Sequence, residues 1–249
     1  MKVEVYVERG YSFWSGTKNL DNYRVTMEQQ GNKILSSVEK KTDGKSFFSD
    51  QVTFSYKVYL PKKMSVILKT SAGNISVNGV TGDHSIKSYA GNITVENVNG
   101  QVKAYTSGGN IDIERTQGTI FGHTNGGNIL LDNNKGELRF RSNGGQIIAQ
   151  RISGTMVSEV NGGDIKAQFI HLSEGVSLQT SAGDIYVELP GDSGFNINLS
   201  GTNIEFPSGS GFSGEFDKRR VQGKLYGGGI PVSLATSYGK ITLRVEKER

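Results

Sequence analysis

The pattern Gly-polar-Ile, at a near-constant spacing, constrains this chain more than any other feature. Its copies are Gly73-Asn74-Ile75, Gly91-Asn92-Ile93, Gly109-Asn110-Ile111, Gly127-Asn128-Ile129, Gly145-Gln146-Ile147, Gly163-Asp164-Ile165 and Gly183-Asp184-Ile185, then a degenerate Thr202-Asn203-Ile204 and a late Gly239-Lys240-Ile241. The isoleucines step by 18, 18, 18, 18, 18, 20, 19 and 37 residues. A period of this size means a stacked repeat, in which each unit buries its apolar face only against its neighbours.

One repeat, Ile93 to Asn110, holds two alternating runs, Ile93 to Val95 and Gln101 to Thr106. Alternation between Gly/Asn turns reads as strands, with turns expected at Asn99-Gly100 and Gly108-Gly109. No repeat has room for a helix. Coil-on-coil stacking of such units gives a β-solenoid. With one inter-strand spacing of about 4.8 Å per coil, nine to ten coils would stack to roughly 45 Å. A hexapeptide left-handed helix also uses 18 residues per coil, but it needs an apolar residue every six. From Ile75 those steps land on Thr81 and Lys87, and from Ile111 on Gln117 and His123, so that fold is rejected. The expectation is a single-domain, all-β, right-handed parallel β-helix. Its rival is a flat antiparallel meander, which the long Val95–Gly100 corner fits less well.

Residues 1–60 lack the repeat. They are expected to form an N-terminal β cap over the first coil of a solenoid spanning 61–249. Strands are expected at the alternating Met1–Glu8, at Asn22–Glu28 and Lys33–Lys40 around a Gly31-Asn32 turn, and at Val52–Leu60. Pro207 to Gly229 breaks the period as an insertion loop or protruding hairpin, and the last coil is expected to resume at Val232 before the charged tail Glu246–Arg249.

Composition narrows the function classes. Glycine supplies 34 of 249 residues, but in register with Ile and Val, which marks ordered turns needing positive φ rather than disorder. Basic residues exceed acidic by 28 to 24, too small an excess to point to nucleic acid. Without cysteine there is no disulfide framework, thiolate metal site or cysteine nucleophile. No apolar run is long enough to span a membrane. The start Met1–Glu8 has no signal-peptide core, so the chain is either cytosolic or a mature exported form.

The recurring Ser/Thr-Ser/Asn-Ala/Gly-Gly-Asn/Asp-Ile-x-Val unit, the entry Val58-Tyr59-Leu60-Pro61-Lys62-Lys63-Met64-Ser65-Val66 and the close Thr236-Ser237-Tyr238-Gly239-Lys240-Ile241-Thr242-Leu243 resemble the DUF4097 family of bacterial β-solenoid domains, which carries an adhesin label. The resemblance covers roughly residues 50–249. It implies a non-catalytic, exported bacterial protein, extracytoplasmic once a signal peptide is removed, and it supplies no catalytic residue.

Three columns could carry chemistry. The residues preceding each isoleucine, Asn74, Asn92, Asn110, Asn128, Gln146, Asp164, Asp184 and Asn203, are expected to form a structural amide ladder. Asp164 and Asp184 are its one weak candidate for a cation; no metal or cofactor is otherwise expected. Glu96, Glu114 and Asp132 form an outward acidic stripe. Carboxylates about 5 Å apart match a retaining glycosidase in distance alone, but no cleft is implied to raise one pKa. On the second strand His84, Val102, Ile120, Leu138 and Met156 read as an inward ladder. Lys103, Phe121, Arg139 and Lys87, Tyr105, His123, Arg141, Glu159 face out. Lys103, Tyr105, Phe121, His123, Arg139 and Arg141 are therefore the candidate binding residues, for a glycan or a surface protein. His84, His123 and His171 sit at different phases and cannot converge on zinc. Competing expectations are a polysaccharide lyase or hydrolase and a self-assembling scaffold.

Overall fold

The computed structural model describes residues 2–9, 23–31, 33–41, 52–209 and 211–246. Met1, Asn22, Asn32, Ser210 and the tail Lys247-Glu248-Arg249, to which expectations were attached, lie outside them. All regular structure among the described residues is strand.

Contacts divide the chain into two compact units, Met1–Pro61 and Lys62–Arg249. In the first, Lys2–Arg9 pairs antiparallel with Val52–Tyr59, from Lys2 opposite Tyr59 to Arg9 opposite Val52. Tyr23–Gln30 and Lys33–Lys40 form a hairpin, with Gly31 at the turn in the left-handed region (φ 60°). The Tyr23 and Phe54 rings lie 5.0 Å apart, so the hairpin meets the other strand pair.

The second unit is a β-solenoid. Each coil contributes a short strand such as Ile93–Glu96 and a long one such as Asn99–Thr106. Each strand pairs in parallel with its equivalent 18 residues on: Ile93 with Ile111, Ile111 with Ile129, Val102 with Ile120 and Ile120 with Leu138. Parallel pairing rules out the meander. Alternation sends one side chain in two to the interior, so Ile93, Val95, Ile111, Ile113, Ile129 and Ile147 are buried, as are Val102, Ile120, Leu138 and Met156 of the other column. His84 closes that inward ladder as expected, and it too is buried.

The first corner lies elsewhere than expected. Asn99 and Gly100 belong to a strand, and the chain turns at the residue after the short strand. Asn97, Arg115, Asn133 and Arg151 occupy it with φ of 53°, 48°, 52° and 52°, and Gly79 with 71°. The left-handed region is uncommon for non-glycine residues, with Asn enriched there. It redirects the chain in one residue.

The glycine columns have two causes. Gly82, Gly100, Gly118, Gly136 and Gly154 do have positive φ, between 122° and 149°. Gly91, Gly109, Gly127 and Gly145 do not; they are glycine because a Cβ would overlap the carbonyl of the glycine one coil earlier. This close approach is locked by buried hydroxyls. Thr124 Oγ1 donates to Gly109 O (2.9 Å) and accepts from Gly127 N–H (3.1 Å). Ser88, Thr106 and Ser142 do the same in their coils. The Thr/Ser three residues before each glycine thus satisfies a donor and an acceptor that water cannot reach.

The coils do not stack in chain order throughout. After Ile185, the expected next layer was Ile204, with the Ile241 coil last. Instead Ile185 pairs with Ile241, and Ile241 with Ile204. In the long column Val176–Thr180 pairs with Val232–Thr236, whose other edge pairs with Phe195–Ser200. The C-terminal strands Ile230–Thr236 and Lys240–Val245 are therefore inserted between two coils formed by earlier residues. Within the expected insertion, of the loop and the hairpin that the sequence left open, the structure forms the hairpin, Phe212–Phe216 with Arg220–Leu225, and it continues the sheet. Arg220–Leu225 pairs antiparallel with Phe195–Ser200 and with Phe212–Phe216, covering the outer edge of that coil. An end covered by antiparallel strands cannot accept another parallel coil there, which argues against end-to-end scaffolding.

Candidate functional site

In the polar column, the side chains do not bond to one another as an amide ladder would. Asn74 Oδ1 accepts from Asn92 N–H (2.9 Å), Asn92 Oδ1 from Asn110 N–H (2.8 Å) and Asn110 Oδ1 from Asn128 N–H (2.9 Å). Asp164 Oδ1 accepts from Asp184 N–H and Asp184 Oδ1 from Lys240 N–H, both at 2.8 Å. The position needs only an acceptor, so Asp serves as well as Asn and no cation is required to reconcile the two aspartates. Among the described residues no group of three His, Asp or Glu side chains is placed to hold a metal ion. An amide-to-amide ladder does exist in a different column, where Asn143 Nδ2 donates to Asn125 Oδ1 (3.0 Å) and Asn161 Nδ2 to Asn143 Oδ1 (3.1 Å).

The acidic stripe is tied to the corner arginines. Arg115 bridges Glu96 (3.2 Å) and Glu114 (2.6 Å), and Arg151 pairs with Asp132. The left-handed corner turns both guanidiniums back along the stripe. Asp112, not singled out by the sequence, is the carboxyl whose environment differs. Burial, and then the charges of Glu114, Glu96 and Asp132, push it above its ordinary range. Its partners in the neighbouring coils are Thr94 and Leu130. The hollow of about 300 Å³ beside Ile204, Phe206 and Phe216 belongs to other coils.

All six candidate binding residues face outward: Lys103, Arg139 and Arg141 are exposed, and Tyr105, Phe121 and His123 half-buried. The register aligns Lys103, Phe121 and Arg139 in one column and Tyr105, His123 and Arg141 in the next. Their surroundings divide them. Arg139 pairs with Glu137 and Arg141 with Glu159, so both guanidiniums already hold a carboxylate. The Tyr105 and His123 rings stack at 5.2 Å with 15° between planes, and Lys87 Nζ lies 5.0 Å from the Tyr105 centroid. Lys87 and His123 come from the coils on either side of Tyr105. Both faces of that ring are thus engaged within the protein, and a sugar cannot stack on it as expected.

Three residues outside the expected set, Lys69, Lys87 and Tyr89, complete the patch. Lys87 Nζ also lies 4.8 Å from the centroid of Tyr89, which is 55% exposed, and Lys69 is the register partner of Lys87 one coil earlier. Among the described residues Lys69, Lys87 and Lys103 form no ion pair. Tyr89 could have been found by running the strand alternation two residues past Lys87, through the buried Ser88. His123 Nε2 lies 3.0 Å from Asn125 Oδ1, which links the patch to the amide ladder.

No described helix is long and apolar enough to cross a membrane. Neither a curated protein nor a solved structure matches the chain. A family model does match, and it spans residues 3–244, including the first unit that the resemblance fitted only loosely. Parallel coils, glycine stacking and the acceptor column extend over the second unit of the matched range, and the chain belongs to the Toastrack family, DUF4097.

Proposed function

We propose that this chain is a non-catalytic binding module of the cell surface or periplasm, and that it holds an acidic glycan across the first coils of its long-strand face. The observation that carries this is the grouping of Lys69, Lys87 and Lys103 with Tyr89 and Tyr105. Lys69 and Lys87 stack at the coil spacing of about 4.8 Å, Lys103 stands in the neighbouring column of the next coil, and among the described residues none of the three is held by a carboxylate. Lys87, held over two rings, is kept extended rather than free to collapse. An extended polyanion running along the stack meets one such group per coil. The absence of catalysis belongs to the same proposal, supported by the arginines that hold the acidic stripe as ion pairs.

The test is calorimetric titration with polygalacturonate, heparin, neutral dextran and single-stranded DNA of matched length. Binding to an acidic polysaccharide, absent with dextran and weakened at least tenfold by Lys87→Ala with Lys103→Ala, is expected. Affinity confined to DNA, or none for any acidic polymer, overturns the proposal. Release of reducing ends or unsaturated sugars that Glu114→Gln or Asp112→Asn abolishes would overturn its non-catalytic part.

A further inference from the structure

The inserted C-terminal coil occupies a slot whose two walls are each supported without it. One wall, Val176–Thr180 and Ile185–Leu189, continues the stack through Ile147–Gly162 and Ile165–Ala182. The other, Phe195–Ser200, is paired on its far edge with Arg220–Leu225, and that strand with Phe212–Phe216. The inserted coil is joined to its own chain by a narrow connection. Tyr226, Gly227, Gly228 and Gly229 form it, with φ of 50°, 85°, 84° and 145°. Tyr226 sits where non-glycine residues are uncommon.

One side chain fastens this connection. Asn196, exposed on the wall strand, donates from Nδ2 to Gly229 O (2.8 Å) and accepts at Oδ1 from Gly229 N–H (3.3 Å). Everything beyond it is coil-on-coil contact, including the Thr236 hydroxyl bond to Gly183 O and the Lys240 N–H bond to Asp184. Those contacts are the same whichever molecule supplies the coil. Only the connection distinguishes a coil docked in its own chain from one docked in a neighbour.

We infer that Ile230–Val245 is an exchangeable element through which two copies of this chain pair reciprocally, each filling the other's slot. Exchange of an identical element is a low-cost route to a two-fold dimer, because it creates no new interface chemistry. Opening the connection releases Tyr226 from its left-handed conformation and breaks the two Asn196 bonds and the Gly228 N–H bond to Leu225 O (3.2 Å). Protein concentration and the Asn196 fastening then set the balance between closed monomer and exchanged dimer.

The chain lacks cysteine, which makes the test direct. Ser177 and Ser233 are register partners across the slot, both on its outer face. Chains carrying only Ser177→Cys are mixed with chains carrying only Ser233→Cys, concentrated, and treated with a short bismaleimide. A covalent heterodimer is expected. Its yield should rise with concentration and increase several-fold when Asn196→Ala is added to both chains. A chain carrying both cysteines, cross-linked within itself while dilute, should stay monomeric by light scattering. Absence of the heterodimer in the original and Asn196→Ala backgrounds overturns the inference. So does a dimer that persists in the internally cross-linked chain.

Discussion

A methyl group added at Gly127 would overlap the carbonyl of Gly109, whereas one added at Gly126 meets nothing nearer than Ser107 O at 3.8 Å. Gly127→Ala should therefore cost about 3 kcal/mol through forced backbone displacement, which lowers the melting temperature by about 10 °C. Gly126→Ala should change it little, and scanning calorimetry on the pair checks both. His84 tests burial of a titratable ring. Among the described residues neither ring nitrogen has a hydrogen-bond partner, and burial holds its pKa below the ordinary 6.5, against an opposing pull from Asp83. The folded state then binds fewer protons than the unfolded chain, so stability is level above pH 6.5 and falls as pH drops below it. His84→Leu should flatten the melting temperature across that range. Asp112 carries the opposite sign. Its raised pKa means that the charged form is disfavoured on folding, so its favourable contribution is present in acid and lost as pH rises through the folded-state value. Asp112→Asn should raise the melting temperature at neutral pH, with the gain shrinking as the carboxylates protonate.

Within one coil, the hydroxyl ladder joins the long strand to the glycine turn. Thr124→Val keeps the shape but leaves Gly127 N–H and Gly109 O without their partner, at about 2 kcal/mol. Thr124→Ser should recover more than half of that in urea unfolding. Val160 already stands at this position in one coil, so the array tolerates one such gap. Strand phases were legible in the sequence because alternation and an 18-residue period act together, and Ile93, Val102 and their equivalents are buried as the pattern requires. The corner was not. Gly79, Asn97, Arg115, Asn133 and Arg151 share a backbone conformation but not a residue type, and the nearby glycines gave a stronger turn signal. On the candidate face, outward direction was legible for Lys103, Tyr105 and Arg141. The partners of Tyr105 and Arg141 were not, because Lys87 over Tyr105 and Glu159 on Arg141 depend on side chains reaching between coils.

Across the whole solenoid, coil order was the least legible property. Every coil offers the same Gly-x-Ile edge, so residue type does not say which coils adjoin; only the degenerate Thr202 and the step of 37 residues marked the place. Hydrogen exchange should show the consequence. Amides of Ile230–Val245 and the wall amides facing them should exchange through one shared opening, slower than the exposed hairpin Phe212–Phe216 but faster than the coils around Ile129. Unrelated rates on the two sides of the slot would show that the inserted coil does not open as a unit. Most coil contacts join residues about one repeat apart, whereas the closing bond from Lys240 to Asp184 spans 56 positions. Each earlier coil can zip onto the last as it leaves the ribosome. The slot stays empty until the end of the chain arrives. A message cut short before Ile230 would thus yield not a shorter stack but one with a missing course near its end. Two unpaired parallel edges would face each other across it, the kind of surface that chaperones and proteases recognise as unfinished work.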